Sequence, residues 1–491
     1  MKTIKMLGFL LVFCWQAQAQ TQIMWKKCIG TNAYDGITNV LKTRTDKLIL
    51  SDQQGRLIKM GMQGNIIWNK TYASIAGDGV GDVVEMPNGN LIACGWTGNS
   101  NMPNYCGLGD FWVMCTDSNG VLLWQSAYGH PYYDYATSID FIDGKVLVTG
   151  SSDTYFMGGP PVGAPMERCL IVNINPNNGA AIGMNFRYEM QSYDTIRKIF
   201  KNTNNPSKYL CTMWGTNGPR GFLDLDTTIL FVPATSPSPT SVWSYLRQSH
   251  TIDAIYNNSG LDFIFVEDTH NPPLCPIVNP NYPGYQQNIF KTDTSMQTLK
   301  WRTCVPSLAG SFLKYIIPSA DGNYYAAGDA VMNIQLDRNF WLIKFDENGN
   351  ILWQDTYGGS EGDYVGGITL GQTPGEIILA GTTNSNNGDV TGLHGYSDGW
   401  IIKVKDQAMV GITDAEKSGT WRIGSLLDSQ YQVRFLGDAL KYPIAITITD
   451  ATGKQVQQYN ATTSEMVLNL SAFPQGIYFA RSAYGAEKLV R

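Results

Sequence analysis

The residues of this chain best suited to chemistry are hard oxygen donors in the segment Thr383-Asn384-Ser385-Asn386-Asn387-Gly388-Asp389-Val390-Thr391-Gly392. Asn384, Asn386 and Asp389, with backbone carbonyls of the same loop, are the ligand type that calcium takes. The bidentate glutamate that completes an EF-hand loop is missing, so the expectation is limited to a structural calcium ion. A tight loop joining two strands is the competing expectation. No other cofactor is expected.

The ingredients of catalysis are sparse. A hydrolase needs a base beside its nucleophile or two carboxylates across a cleft. No hydrolase serine elbow is expected, and the chain shows no H-E-x-x-H and no P-loop. Its histidines are His130, His250, His270 and His394, and neither His130 nor His394 has an orienting partner legible in sequence. Carboxylates such as Asp117, Asp321 and Asp346 fall in turns, where an acidic side chain bonds the backbone two residues on. No catalytic residue can be named on this basis.

In an oxidising compartment the cysteines could pair. Apart from Cys14, the chain holds Cys28, Cys94, Cys106, Cys115, Cys169, Cys211, Cys275 and Cys304, an even set that permits disulfides. Cys94 with Cys106 or Cys115 is expected within one repeat, and Cys275 with Cys304 across a proline-rich loop. There is no C-x-x-C spacing, and so few histidines make a zinc site improbable.

The elements that position these residues follow from a repeat. Residues 111–129 read FWVMCTDSNGVLLWQSAYG, and residues 340–358 read FWLIKFDENGNILWQDTYG. Alternation in Phe340 to Phe345 is a strand period, Asp346-Glu347-Asn348-Gly349 is a turn, and Ile351-Leu352-Trp353 starts a second strand. Trp25, Trp68, Trp124, Phe186, Trp243, Trp301 and Trp353 recur at steps of roughly 43 to 62 residues. Between them come an apolar strand, a turn such as Pro87-Asn88-Gly89-Asn90 or Ala320-Asp321-Gly322-Asn323, and a strand ending in glycine such as Gly95, Gly150, Gly328 or Gly381. A third strand, such as Phe111 to Thr116 or Ile401 to Val404, leads back to the hairpin. Four short strands per unit predict an all-β fold, a seven-bladed β-propeller over residues 21–405. The segment Ile23 to Lys26 is expected to supply the outer strand of the last blade and close the ring, which removes exposed sheet edges.

The ends differ from the repeats. Lys2 and Lys5, the apolar run Met6 to Cys14 and Ala17-Gln18-Ala19 predict a signal peptide at 1–19, cleaved before Gln20. The run is too short to span a bilayer, and no later segment approaches eighteen apolar residues, so no transmembrane segment is expected in the mature chain. A net charge of −6 argues against a nucleic-acid partner. Residues 406–417 read as a linker. Beyond it, short alternating strands at Tyr431 to Leu436, Ile444 to Thr449, Glu465 to Leu470 and Ile477 to Arg481 predict a small β-sandwich over residues 418–491.

This end resembles the C-terminal sorting domain of the type IX secretion system, found on exported proteins of Bacteroidetes. The matching features are the Asp450…Gly453-Lys454 turn, Leu468-Asn469-Leu470-Ser471…Pro474-Gln475-Gly476-Ile477-Tyr478 and the terminal Lys488-Leu489-Val490-Arg491. The usual Asn-Pro pair near the domain start is replaced by Gly424-Ser425-Leu426. The repeats, with Ser397-Asp398-Gly399-Trp400, are similar to those of Bacteroidetes surface proteins. The resemblance implies delivery to the outer-membrane surface or beyond by the type IX machinery. The functional expectation is a binding or structural propeller with a glycan or protein ligand. A polysaccharide lyase or glycoside hydrolase is the alternative, which needs two carboxylates roughly 5 to 9.5 Å apart at one mouth of the ring.

Overall fold

The structure is a computed structural model. It describes residues 20–490 apart from 76, 132, 143, 154–166, 189–194, 202–207, 215–221, 225–229, 233–248, 259, 261, 270–285, 294–297, 308–309, 333–336, 410–419, 426–429, 437–441, 451–453, 475 and 483–484. The expected leader at 1–19 lies outside the described residues.

The chain divides into two compact units, Met1–Val410 and Gly411–Arg491. The first unit opens with β1 (Thr21–Ile29). Sheet one follows as β2 (Ile37–Lys42), β3 (Lys47–Asp52), β4 (Arg56–Gly61) and β5 (Ile66–Thr71). Sheet two is β6 (Gly79–Glu85), β7 (Leu91–Thr97), β8 (Asp110–Thr116) and β9 (Leu122–Tyr128). Sheet three is β10 (Tyr133–Ile142), β11 (Lys145–Asp153), β12 (Glu167–Ile174) and β13 (Ala181–Tyr188). Sheet four is β14 (Thr195–Lys201), β15 (Lys208–Trp214), β16 (Phe222–Asp224) and β17 (Leu230–Val232). Sheet five is β18 (Ser249–Tyr256), β19 (Asp262–Thr269), β20 (Gln286–Asp293) and β21 (Leu299–Val305). Sheet six is β22 (Phe312–Pro318), β23 (Tyr324–Val331), β24 (Arg338–Phe345) and β25 (Ile351–Tyr357). Sheet seven joins β26 (Asp363–Leu370), β27 (Glu376–Thr383) and β28 (Asp398–Asp406) to β1, which pairs antiparallel with β28.

Each sheet packs face to face on the next, and this explains why the middle strands read as continuous apolar runs. Alternation sends one set of side chains to each neighbour. From sheet two, Ala93, Trp112 and Met114 pack towards Ile49 and Leu57 of sheet one. Ile92, Cys94, Phe111, Val113 and Cys115 pack towards Ile139, Val148 and Leu170 of sheet three. Sheet seven does the same. Ile378, Ala380 and Ile401 pack on Leu48, Leu50 and Ile58 of sheet one, while Leu379, Trp400 and Ile402 pack on Tyr325 and Phe340 of sheet six.

The recurring tryptophans bind one sheet to the next. In the hairpin between β24 and β25, Asp346 Oδ1 accepts the N–H groups of Asn348 (2.9 Å) and Asn350 (2.8 Å), and Gly349 takes a φ of +83°. That left-handed conformation favours glycine. The ring of Trp301 from sheet five lies over Gly349, and its Nε1 donates to Glu347 O at 3.0 Å. A like ring-on-glycine contact joins Trp68 to Gly120 and Trp124 to Gly179, where Trp124 Nε1 donates to Pro176 O at 3.1 Å. It also joins Trp25 of sheet seven to Gly64 of sheet one, with Trp25 Nε1 donating to Met62 O at 3.1 Å.

One expectation is corrected. Cys94, Cys106 and Cys115 are free thiols. Cys94 stands opposite Val113 and Cys115 opposite Ile92, so the two are diagonal across the ladder, too far apart for a disulfide. Cys106 is exposed on the β7–β8 connection. Cys304 is disulfide-bonded, and Cys275, its expected partner, lies outside the described residues. Trp243, expected in an extended segment of the fourth unit, lies outside the described residues, and the outermost strand of sheet four is the short β17.

The second unit is a two-sheet sandwich. One sheet is β29 (Thr420–Ser425), β30 (Gln430–Leu436) and β33 (Glu465–Asn469), ordered β29-β30-β33. The other, ordered β32-β31-β34-β35, contains β31 (Ile444–Asp450), β32 (Gln455–Ala461), β34 (Ile477–Ser482) and β35 (Gly485–Val490). Val433 and Phe435 of the first sheet share one core with Ile444, Ile446, Ile448, Ala480 and Leu489 of the second.

Candidate functional site

In the first unit, the first strand of each of the seven sheets carries a β-bulge at the same place. The register shifts fall between Ile37 and Asn39, Val80 and Asp82, Ala136 and Ser138, Ile196 and Lys198, Thr251 and Asp253, Leu313 and Tyr315, and Val365 and Gly367. A bulge re-aims the side chain beside it. Here the seven first strands all contribute to the wall of one cavity of about 500 Å³. Its wall is divided. Asp82, Asp140, Lys198 and Asp253 form a charged arc, while Phe312, Tyr315, Ile316, Ile317 and Ile368 form a mainly apolar one that also carries Lys314, paired with Asp329 at 2.7 Å.

Polar contacts run along this wall from sheet to sheet. Asn39 Nδ2 of sheet one donates to Asp82 Oδ1 of sheet two. Asp82 Oδ1 also accepts the Val83 N–H (2.7 Å), and Oδ2 accepts the Ile139 N–H of sheet three (3.0 Å). Asp140 accepts the Ile199 N–H of sheet four. Lys198 Nζ donates to Asp253 Oδ1 at 2.8 Å, and Asp253 Oδ2 accepts the Ile316 N–H of sheet six at 3.0 Å. Tyr315 OH donates to Gly366 O of sheet seven at 2.5 Å.

Burial dominates the electrostatics. It pushes the Asp140 carboxyl up to about 7, and the nearby Asp82 charge adds to this, while Lys198 and the Ile199 N–H oppose it. Burial raises Asp82 as well, against hydrogen bonds from Ile139, Val83, Asn39 and Ser138. Burial works against the Lys198 ammonium, but Asp253, Asp140 and Asp82 together hold its pKa above the ordinary value. Lys198 sits deep in the protein, yet its side chain keeps 36% exposure because the cavity reaches it. Asp140 can therefore exchange a proton near neutrality, in a cavity that also offers a fixed ammonium and a tyrosine.

The oxygen donors expected for calcium sit in the β27–β28 connection. Asp389 Oδ2 accepts the Gly358 N–H (3.2 Å), Asn386 Oδ1 accepts the Leu393 N–H (3.4 Å), and the Asn384 N–H donates to Gly362 O (3.0 Å). These contacts fix the loop to itself and to residues 358–362. Among the described residues no group of three or more His, Cys, Asp or Glu is arranged to hold a metal. In the second unit, Asp450 Oδ1 accepts the Lys454 N–H (3.0 Å), Gly453 lies outside the described residues, Gly476 is exposed, and Tyr478 OH donates to Pro474 O (2.8 Å).

Sequence reasoning missed the charged arc, whose members stand in four different sheets. It also missed a partner for His394, whose Nδ1 lies 2.7 Å from Oδ2 of the buried Asp398. The i,i+4 spacing of these two residues was a legible signal. One motif match has no catalytic context. Gly358-Gly359-Ser360-Glu361-Gly362 fits the letters of a serine elbow but connects β25 to β26, with no helix, and Ser360 Oγ accepts from Asn387 Nδ2 at 2.9 Å.

Residues 430–491 match the family described as the secretion system C-terminal sorting domain. No curated protein is significantly similar in sequence. Among solved structures, the chain is similar to Raptor from Chaetomium thermophilum at 8% identity and a TM-score of 0.48, covering 78% of this chain but only 29% of that one. It is similar to a Bacteroides caccae protein of unknown function at 12% identity and a TM-score of 0.37, covering 66% and 93% of the two chains. BamB from Moraxella catarrhalis is 13% identical with a TM-score of 0.37, covering 96% and 97%. This is an exported chain of the cell surface or the extracellular space, and its residues 430–491 are a type IX C-terminal sorting domain.

Proposed function

We propose that residues 21–405 form a closed seven-bladed β-propeller that binds a glycan or protein ligand, and that residues 418–491 direct it through the type IX machinery. Closure is supported by the Trp25–Gly64 contact between sheets seven and one, which repeats those made by Trp68, Trp124 and Trp301. Binding is carried by one observation: residues of all seven first strands line a single cavity whose wall carries both charged and apolar side chains. Cys275 is the partner we assign to Cys304.

A lyase or glycoside hydrolase is favoured only by the raised pKa of Asp140. Against it, Asp82 and Asp253 each hold a backbone N–H of the following sheet, which leaves them poorly placed to act as a second catalytic carboxylate. The two readings separate in one assay. The exported protein is incubated with acidic and neutral polysaccharides, and chain cleavage is followed by reducing-end release and by the ultraviolet absorbance of unsaturated ends. Binding without cleavage is expected. Cleavage abolished by Asp140→Asn would establish the enzyme. Export is tested by truncation after Asp414, which should trap folded propeller in the periplasm. Surface delivery of the truncated protein would overturn the sorting role.

A further inference from the structure

The loops joining the second to the third strand of a sheet, and those joining one sheet to the next, emerge on one rim, because strands alternate in direction. On that rim Tyr34, in the β1–β2 connection, stacks on Tyr396, in the β27–β28 connection, with ring centroids 5.2 Å apart and planes 14° from parallel. Both rings are largely open to solvent, at 65% and 70% exposure. A stack whose rings are this exposed gains little from burial.

The backbones beneath are firmly held. The Asp35 N–H donates to Ser397 O at 3.0 Å, Ser397 Oγ donates to Asp35 O at 3.1 Å, and Gln54 Nε2 donates to Tyr34 O at 2.5 Å. Gly395 lies so close that a Cβ there would stand 2.7 Å from the carbonyl oxygens of Thr31 and Ala33. The loop of Tyr396 is also fixed to its neighbour, with Asn387 Nδ2 on Ser360 Oγ and the Glu361 N–H on Ser385 Oγ. Two residues from Tyr396, the buried Asp398 carboxylate holds Nδ1 of His394, whose side chain is 53% exposed. That contact fixes the ring and leaves Nε2 to meet a ligand.

We propose that Tyr34, Tyr396 and His394 form a carbohydrate-binding platform, taking a pyranose ring of a neutral oligosaccharide against the tyrosine faces and one of its hydroxyls on His394 Nε2. Rigid aromatic rings with fixed backbones bind with little loss of conformational freedom. The surroundings favour a sugar over other occupants. Between residues 31–36 and 385–397 these tyrosines are the only large apolar side chains strongly exposed among the described residues, so the patch lacks the apolar core of a protein hot spot. The carboxylates beside the tyrosines offer no open charge to reinforce a cation on the rings, because Asp35 is held by Arg56 and Asp398 by His394. The inference deepens the binding reading above and places one ligand away from the cavity.

The test uses the full exported chain with cellohexaose, maltohexaose and chitohexaose, by titration calorimetry. At least one hexasaccharide should bind. Tyr396→Ala should weaken it tenfold or more with an unchanged melting temperature, and Tyr396→Phe should stay within about threefold, since it keeps the stacking face. His394→Gln should weaken it to a smaller extent. Absence of binding by all three probes, or binding unaffected by Tyr396→Ala, would overturn the platform. Affinity lost in Asp140→Asn but kept in Tyr396→Ala would move the sugar to the cavity, sinking this inference while leaving the binding reading intact.

Discussion

Replacing Gly349 by alanine isolates the contact that fastens one sheet to the next. Two separate penalties apply. The backbone sits at φ +83°, where a Cβ costs about 1–2 kcal/mol. That Cβ would also stand 2.7 Å from Trp301 Cε3 and Cζ3 and from Thr303 Oγ1, well inside ordinary carbon contact. Overpacking of this kind adds about 1–3 kcal/mol. Gly322 in the same sheet is the internal control, with φ +87° and nothing within 4 Å of the position a Cβ would take. Gly322→Ala should therefore show only the backbone penalty, and Gly349→Ala about 1–3 kcal/mol more. Urea unfolding followed by circular dichroism supplies both values, compared at a common slope. In a Trp301→Ala background the extra penalty at Gly349 should shrink, because the ring is gone and only Thr303 Oγ1 still crowds the new Cβ. Equal destabilisation by the two alanines, or an unchanged excess without Trp301, would refute the fastening role.

Three further outcomes follow from buried groups. Asp140 has a folded pKa of about 7, above its unfolded value, so between about pH 4 and pH 7 the native state keeps a proton that the unfolded chain has released. Its contribution to stability therefore falls as pH rises through that window, and the advantage of Asp140→Asn over the wild type should grow from about pH 4 and level off above about pH 7 in paired urea titrations. Lys344 is 2% exposed and pairs with Asp406 (2.6 Å) and Asp321 (2.5 Å), so Lys344→Met leaves Asp406 buried without its cation and should cost about 3–5 kcal/mol, read from the urea midpoint. Cys106 is an exposed free thiol, whereas burial pushes Cys115 up to about 11 and Cys94 well above the ordinary range. Among the described free thiols, Cys106 should therefore react fastest with a disulfide reagent in the native protein, a phase that Cys106→Ser removes, with the half-buried Cys28, pushed up to about 11, reacting slowly and Cys94 and Cys115 only after denaturation.

Local signals in the sequence determined the strands and the hairpins. Asp346-Glu347-Asn348-Gly349 requires a turn whatever surrounds it, because the aspartate bonds the backbone two residues on and glycine accepts the left-handed conformation. The spacing of Trp25, Trp68, Trp124, Trp301 and Trp353 set the unit, since each stands in the outer strand of a four-stranded sheet. The pairing of Ile23 to Lys26 with the last sheet was legible too, because six complete units leave the final three strands without a fourth. The sorting-domain resemblance was carried by a short motif set that the family match over residues 430–491 supports.

Tertiary structure alone decided the chemistry. Asp82, Asp140, Lys198 and Asp253 are separated by tens of residues and meet only because bulges at equivalent positions turn them into one cavity. A bulge shifts which face a side chain takes, and alternation in sequence cannot show where it falls. The state of Cys94 and Cys115 depended on ladder register, which places them diagonally rather than opposite. The proton affinity of Asp140 arises from burial beside Asp82, and the Tyr34–Tyr396 stack from the meeting of chain segments some 360 residues apart. Strand formation depends on neighbours in sequence, whereas burial, charge and stacking depend on neighbours in space, and only the packed sheets define those.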